Sequence, residues 1–286
     1  MIKVKTYKTI FVQNLLPLYD EMEIEGFFYL IMEQNHNLKR IALALNPDFE
    51  ISETEIETWN VILEKLKLEI PIQYILGKTS FFGLDFFVDE NVLIPRPETE
   101  ELVDWIIADA QKNNTPKALK ILDIGTGSGC IAISLKKNLP TSAVFALDIS
   151  QKALDLARQN ATTNEVSVHF LEQNILETKS LNQNFDIIVS NPPYVRNLEK
   201  HEIHKNVLNN EPHLALFVDD DDALIFYKKI AVLAKKNLKP NGDLYFEINQ
   251  YLGSETMQLL QDIGFLKLEL RKDVYGNDRM IKASIL

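Results

Sequence analysis

The sequence predicts an α/β protein: a doubly wound sheet of seven strands ending in an antiparallel pair, preceded by a small helical domain. Three observations carry that reading. Beyond residue 118, short apolar runs alternate with helix-period stretches, the pattern of a parallel sheet covered on both faces. The last two runs are joined only by residues 271–279, which include Gly276-Asn277 and are too short for a helical crossover, so that pair is antiparallel. Residues 1–76 show helical apolar spacing throughout.

Composition narrows the function classes. The chain has 286 residues, 46% hydrophobic and 25% charged, an ordinary globular balance with length for one large domain or two modest ones. Forty-one acids against 30 Lys and Arg leave a net charge of −11, which argues against stable nucleic-acid binding and favours a basic partner. A single cysteine, Cys130, excludes an internal disulfide framework and a cysteine-based zinc site. No apolar run reaches the ~18 residues of a membrane span, and Met1–Lys5 lack the start of a signal peptide, so the expected location is the cytoplasm, away from membranes.

Taken in order, the first elements are helices. Leu15, Leu16 and Leu18 mark one; Phe27, Phe28, Leu30, Ile31 and Met32 the next; Ile41, Leu43 and Leu45 a third; Trp59, Ile62, Leu63, Leu66 and Leu68 a fourth. Ser52 and Glu55 have capping-box spacing, and Pro71 marks a break. Residues 1–90 hold 15 acids and 8 bases and no catalytic motif, so domain 1–76 is read as a helical bundle for packing or docking. A β-hairpin turning at Gly83 within 81–88 makes 77–92 the link to a second domain, 93–286. Leu93-Ile94-Pro95-Arg96-Pro97 is extended by its prolines, and Pro97 starts a helix whose stripe is Leu102, Val103, Ile106, Ile107 and Ala110. Strands follow at 119–124, 143–147, 166–171, 185–189, 243–248, 265–270 and 280–285, with helices at 150–160, 223–236 and 253–262. The acid run Asp219–Asp222 suits a solvated helix N-terminus better than a metal site.

Two motifs carry chemistry. Asp123-Ile124-Gly125-Thr126-Gly127-Ser128-Gly129 joins a strand to a helix. Gly125 and Gly127 let backbone approach a ligand, and Gly129 lets the helix start tight against the sheet. The loop lacks the lysine of a P-loop. Asp148 ends the next strand, where a carboxylate can accept both ribose hydroxyls, and together these favour an adenosine-type ligand. The second motif, Ser190-Asn191-Pro192-Pro193-Tyr194, follows the fourth strand at the edge where ligands sit in parallel sheets. Its stiff carbonyls, the Asn191 amide and the Tyr194 ring suit gripping a planar amino group. His201 and His204 read as surface residues, and Cys130 as a small packing residue beside the glycine loop.

The glycine loop, Asp148 and Asn191–Tyr194 together resemble an S-adenosylmethionine-dependent methyltransferase of the seven-stranded class. Pro71-Ile72-Gln73-Tyr74-Ile75-Leu76-Gly77, Ile94-Pro95-Arg96-Pro97-Glu98-Thr99-Glu100, Glu211-Pro212 and Tyr275-Gly276-Asn277-Asp278-Arg279 narrow the resemblance to the peptide chain release factor glutamine N5-methyltransferases, over residues 70–286. The resemblance implies S-adenosylmethionine as cofactor and a release factor as substrate, methylated on the glutamine of its Gly-Gly-Gln segment. It implies that Gly125, Thr126, Gly127, Ser128 and Gly129 cradle the methionine part, and that Asp148 holds the ribose. Asn174 borders the adenine, followed by Ile175 where the family commonly has an aromatic. Asn191, Pro192, Pro193 and Tyr194 form the catalytic clamp on the substrate, with Asn191 also close to the cofactor; no metal is implied. Arg96 to Thr99 line the same mouth, and the net negative charge of the N-terminal domain predicts that it docks the substrate. Two alternatives stay open: amino methylation of adenine or guanine in nucleic acid by the same clamp, and a non-catalytic cofactor-binding interaction module.

Overall fold

The structure, a computed structural model, describes residues 1–112 and 118–285 and divides into two units. One comprises Met1–Gly77 with Lys205–Asn210; the other comprises Lys78–His204 with Glu211–Leu286.

The first unit is built from helices Val4–Leu15, Glu21–His36, Arg40–Leu45, Glu53–Lys67 and Ile72–Leu76, with a two-residue antiparallel pairing of Ile2–Lys3 and Glu50–Ile51. The capping box forms as its spacing requires: Glu55 N–H donates to Ser52 Oγ, and Ser52 N–H donates to Glu55 Oε2 at 2.6 Å. Gly77 ends the last helix in the left-handed region. The core is aromatic. Trp59, fully buried, takes the edges of Tyr7 and Phe28 at 5.4 Å each, and Phe28 in turn meets Phe11 at 5.8 Å. Leu16, Leu18, Leu30, Ile41, Leu45 and Leu68, which share these segments, point to solvent.

In the second unit seven strands form one sheet: β1 (Lys120–Ile124), β2 (Ala143–Asp148), β3 (His169–Glu172), β4 (Phe185–Ser190), β5 (Leu238–Glu247), β6 (Lys267–Lys272) and β7 (Asp278–Ser284). Their order is β6-β7-β5-β4-β1-β2-β3, parallel except for β7, which is antiparallel to both β5 and β6. The near-continuous apolar runs have the expected cause. Ile121, Ile187, Val189 and Tyr245 enter one core with helices Pro97–Gln111 and Cys130–Asn138. Their chain neighbours Leu122, Ile188, Leu244 and Phe246 enter the other, with helices Ile225–Asn237 and Gly253–Ile263. The hairpin Lys78–Phe81/Leu84–Phe87 turns through Phe82 and Gly83, both at positive φ, and buries Phe81 and Phe86 in the first of these cores.

Two strand starts differ from the sequence reading for one reason. Val166 N–H donates to Ala161 O, and Phe265 N–H to Leu260 O, each closing the C-terminal cap of the preceding helix. The residues counted as strand were needed as caps, so β3 begins at His169 and β6 at Lys267. β5 begins five residues earlier than expected because Leu238 already pairs with Phe185 before a bulge resets the register at Asp243. The acid run forms its own 3₁₀ turn, Asp220–Asp222, ahead of the helix.

Candidate active site

Register places the site. Ile124 of β1 lies opposite Leu147 of β2 and Ser190 of β4, and Phe246 of β5 lies opposite Ser190, so the C-terminal ends of four strands are level. The chain runs from β1 outward through β2 and β3, then crosses back to β4 on the other side of β1. The loops after β1 and β4 therefore part at the switch point, where open α/β sheets bind ligands. Ser190 Oγ donates to Ile124 O at 2.7 Å and ties the two strand ends together.

A cavity of about 430 Å³ opens there, within the range of small-molecule sites. Gly125, Thr126, Gly127, Ser128, Asp148, Asn174, Asn191, Pro192 and Pro193, all singled out from sequence, line it. Gly129 and Tyr194 flank the cavity without lining it. Ile175, Arg96 and Thr99 line it too.

The glycine loop is held from below. Gly125 and Thr126 N–H groups both donate to Leu147 O, at 2.9 and 3.0 Å. Thr126 Oγ1 donates to Asp123 Oδ2 at 2.6 Å. Gly127 N–H donates to Asp148 Oδ2 at 2.8 Å, and Ser150 N–H to Asp148 Oδ1 at 2.9 Å, so the carboxylate is fixed at the cavity wall. A carboxylate offers about four lone-pair sites, so both oxygens can still accept from a ligand. Asn174 Oδ1 accepts from Leu176 N–H at 3.0 Å in a side-chain turn, and likewise has a second lone pair. Gly125 and Gly127 sit at φ +74° and +54°, and a Cβ on either would meet nothing within 4 Å. The open volume above that backbone, with Asp148 beside it, fits a nucleoside-bearing cofactor.

Asp123 is fully buried, and burial pushes its carboxyl up to about 7, aided by the Asp148 charge and opposed by the Thr126 hydroxyl and the Ala132 N–H. From an ordinary value of 3.8 to about 7 the folded chain holds a proton there that the unfolded chain has lost, so this group's stability contribution falls as pH rises through that window. Asp123→Asn lacks the titration. The unfolding free energy of the natural chain, relative to this variant, should decline by on the order of 4 kcal/mol between about pH 4 and pH 7 and level off above. Urea unfolding of both proteins across that range measures it; parallel pH profiles would refute the assignment. Cys130 lines the same wall, its thiol pushed up to about 12 by burial and the Asp123 charge, in keeping with a packing role.

Behind the β4 loop lies a polar network. Asn191 Nδ2 donates to Thr99 Oγ1 at 3.3 Å, and Thr99 Oγ1 donates to Glu247 Oε2 at 2.6 Å. Tyr194 OH donates to Glu247 Oε1 at 3.2 Å, while Asn249 Nδ2 donates to Tyr194 O at 3.0 Å. Burial pushes the Glu247 carboxyl up, against the Thr99 hydrogen bond and the Arg279 charge; burial and the Glu247 charge push the Tyr194 phenol up as well. Arg96 Nη2 donates to the buried Glu211 Oε1 at 2.6 Å, and Ile94 N–H to Glu211 Oε2 at 3.2 Å, which clamps the proline-rich segment to Glu211-Pro212. Arg279 Nε donates to Asp273 Oδ2 at 3.0 Å; Asp273 also takes the Tyr275 and Asn277 N–H groups and so shapes the last hairpin loop.

Sequence reasoning missed Glu247, Phe226, Leu214 and Ala215. Glu247 carried a signal, since like Asp148 it is an acid ending an apolar strand at the ligand edge. Phe226 and Leu214 carried none that separates them from ordinary packing residues, yet both line the cavity. His201 is exposed, 3.7 Å from Glu202. Among the described residues no three of His, Cys, Asp and Glu group to hold a metal, and no helix is long and apolar enough to cross a membrane.

Known proteins match these features. The family model of the methyltransferase small domain matches residues 106–216, and that of the PrmC N-terminal domain matches 24–77. A release factor glutamine methyltransferase of Flavobacterium psychrophilum is 62% identical over 281 residues, covering 98% of this chain and 99% of that one. That of Bacteroides thetaiotaomicron is 42% identical over 273 residues, covering 95% and 96%. Two solved structures share the fold. The hMettl16 catalytic domain has a TM-score of 0.55 at 18% identity over 71% of this chain and 76% of that one. A methyltransferase from Pyrococcus furiosus has 0.51 at 19% over 72% and 90%.

Proposed function

The chain belongs to the release factor glutamine methyltransferase family, and we propose that it transfers a methyl group from S-adenosylmethionine to the side-chain amide nitrogen (N5) of glutamine in the Gly-Gly-Gln segment of a peptide chain release factor, in the cytoplasm. One observation carries the reading: the glycine loop with Asp148 and the Asn191–Pro193 loop line a single cavity at the switch point of the sheet.

Gly125 to Gly129 would hold the methionine part, Asp148 the ribose hydroxyls and Asn174 the adenine edge, with Ile175 beside it on the cavity wall. S-adenosylmethionine supplies, when bound, an electrophilic methyl on a sulfonium, so no metal is required. A glutamine amide nitrogen is a poor nucleophile, its lone pair delocalised into the carbonyl. Asn191 Oδ1 and the Pro192 carbonyl would accept its two hydrogens, and Pro193 keeps the backbone stiff. Tyr194 closes the clamp from behind, anchored through its hydroxyl on Glu247. Holding the nitrogen in line contributes up to about 7–11 kcal/mol in favourable cases. The same acceptors stabilise the nitrogen as it becomes positive and pyramidal, and loss of one of its hydrogens to solvent after transfer restores the neutral amide. The direct test is radiolabelled methyl transfer to purified release factors, with the modified atom mapped by mass spectrometry. Label on any residue other than the Gly-Gly-Gln glutamine would overturn the reading.

The N-terminal unit would dock the basic surface of that substrate. Residues 1–77 hold twelve acids against seven bases, and Glu21, Glu33 and Glu57 are exposed. Charges at a docking rim act on association and its salt dependence. Replacing these three by lysine should raise KM for the intact release factor and flatten its dependence on salt, leaving kcat at saturation and the methylation of a short glutamine peptide unchanged. Equal effects on peptide and intact factor would remove the docking role.

A further inference from the structure

An asparagine amide presents an acceptor on one side and a donor on the other, and its shape does not decide which faces a ligand. At Asn191 the decision matters. An oxygen turned toward the cavity can accept from the substrate nitrogen, whereas an NH₂ turned the same way would meet hydrogens with hydrogens. The loop after β4 does not settle it; the contact that does comes from two other elements.

Thr99 sits in the first turn of the helix Pro97–Gln111, is 2% exposed and lines the cavity. Its Oγ1 stands between Glu247 Oε2 at 2.6 Å and Asn191 Nδ2 at 3.3 Å. Glu247, 1% exposed, is the last residue of β5, one register step beyond the Phe246–Ser190 pairing and so level with Asn191. Its other oxygen takes the Tyr194 hydroxyl at 3.2 Å, while Arg279 directs its short ion pair at Asp273. In its ionised form, with the Thr99 and Tyr194 hydroxyls on its two oxygens, the Glu247 carboxylate can only accept. The Thr99 hydrogen is therefore committed to Glu247, and a lone pair is what remains for Asn191. Asn191 must turn Nδ2 to Thr99, which leaves Oδ1 for the substrate.

We propose that Thr99, oriented by Glu247, is the positioning residue that sets the amide of Asn191 with its oxygen toward the substrate nitrogen. This assigns a task to the threonine of the Arg96-Pro97-Glu98-Thr99 segment, and it rests on Asn191 being the acceptor for the glutamine amide. A buried acid is costly to keep unless its oxygens are satisfied; here the Thr99 and Tyr194 hydroxyls and the Arg279 charge hold Glu247 as a fixed acceptor that polarises a three-residue relay, Glu247–Thr99–Asn191. Such a relay acts on the transition state more than on the cofactor, because the nitrogen gains positive charge only during transfer.

The test compares Thr99→Val, Thr99→Ser and Asn191→Ala in the full chain, with Thr99→Ala beside valine in case the branched replacement disturbs folding. Single-turnover transfer to an intact release factor, KM, calorimetric affinity for S-adenosylmethionine and melting temperature are read for each. Valine or alanine should slow saturated transfer on the order of ten- to a hundredfold with cofactor affinity unchanged, and serine should restore most of it. A rate at the level of the natural chain in Thr99→Ala, a loss that serine does not restore, or a loss matched by weaker cofactor binding would overturn the proposal and leave Thr99 a packing residue. Those results stand against a slow Asn191→Ala. If Asn191→Ala itself transferred at the full rate, the clamp reading would fail instead, so the two failures are told apart.

Discussion

Replacing Asn191 by alanine should slow methyl transfer by on the order of 100- to 1000-fold while leaving the fold intact and cofactor affinity nearly unchanged. The side chain is half-buried at the cavity wall, and its Nδ2 donates to Thr99 Oγ1 at 3.3 Å. Its removal leaves the loop backbone anchored, because Ser190 Oγ still holds Ile124 O at 2.7 Å and Asn249 Nδ2 still holds Tyr194 O at 3.0 Å. A small loss of stability, about 1 kcal/mol, is expected from one part-buried hydrogen bond. The transfer step loses an acceptor aimed at the atom where charge develops. Such interactions are made in the transition state and reduce kcat and kcat/KM together. Steady-state kinetics on an intact release factor, with calorimetric cofactor binding and a melting curve on the same preparation, separate the cases. A variant with near-natural turnover would mean that another group orients the amide. A variant whose turnover and cofactor affinity fall in proportion would place Asn191 on the cofactor alone.

How much of this site was legible in the sequence follows the range of the interactions. The glycine loop, Asp148 and Asn191–Pro193 each follow directly on a strand, so a local motif and a count of alternating elements were enough to bring them to one sheet edge. The partners that hold them were not legible. Thr99 meets Glu247 across 148 positions, Asn191 meets Thr99 across 92, and Arg96 meets Glu211 across 115. Nothing local to either member of such a pair names the other; only the packing of the Pro97–Gln111 helix over the strand ends does. Arg96 and Glu211 both appear in segments noted for their resemblance, yet their pairing appears only in three dimensions. The fold behaves the same way. Strand cores were set by period-two burial on two faces, whereas the starts of β3 and β6 yielded to the caps of the helices before them. The antiparallel end of the sheet was legible because the link read from sequence, 271–279, is too short for a helical crossover; in the structure it shortens to 273–277.

The glycines of the loop should separate binding from folding. Gly127 lies at φ +54° and lines the cavity, and a Cβ built on it would touch nothing within 4 Å. Gly129 lies at φ +83° at the start of the helix Cys130–Asn138, and a Cβ there would stand 2.9 Å from Ile133 Cδ1 and 3.1 Å from Ala157 Cβ. Both positions disfavour any L side chain by about 1–2 kcal/mol through backbone conformation alone. For Gly127→Val that is nearly the whole effect on stability, since the added Cβ meets nothing within 4 Å. That space is the cofactor's under the proposed function, so binding of S-adenosylmethionine should become undetectable by calorimetry in a protein that still melts cooperatively. For Gly129→Val the Ile133 side-chain tip must also move aside and Ala157 of the helix Gln151–Thr163 must give by a few tenths of an ångström. Overpacking of this kind adds about 1–3 kcal/mol, for a total of about 2–5 kcal/mol. Gly129→Val should therefore melt well below Gly127→Val, and Gly129→Ala should lie between them. If Gly127→Val kept its affinity, the open volume over the loop would not be where the cofactor sits. If the two valine variants melted together, the helix contact at Gly129 would be soft enough to yield, and the tight start of that helix would not be what the glycine is for.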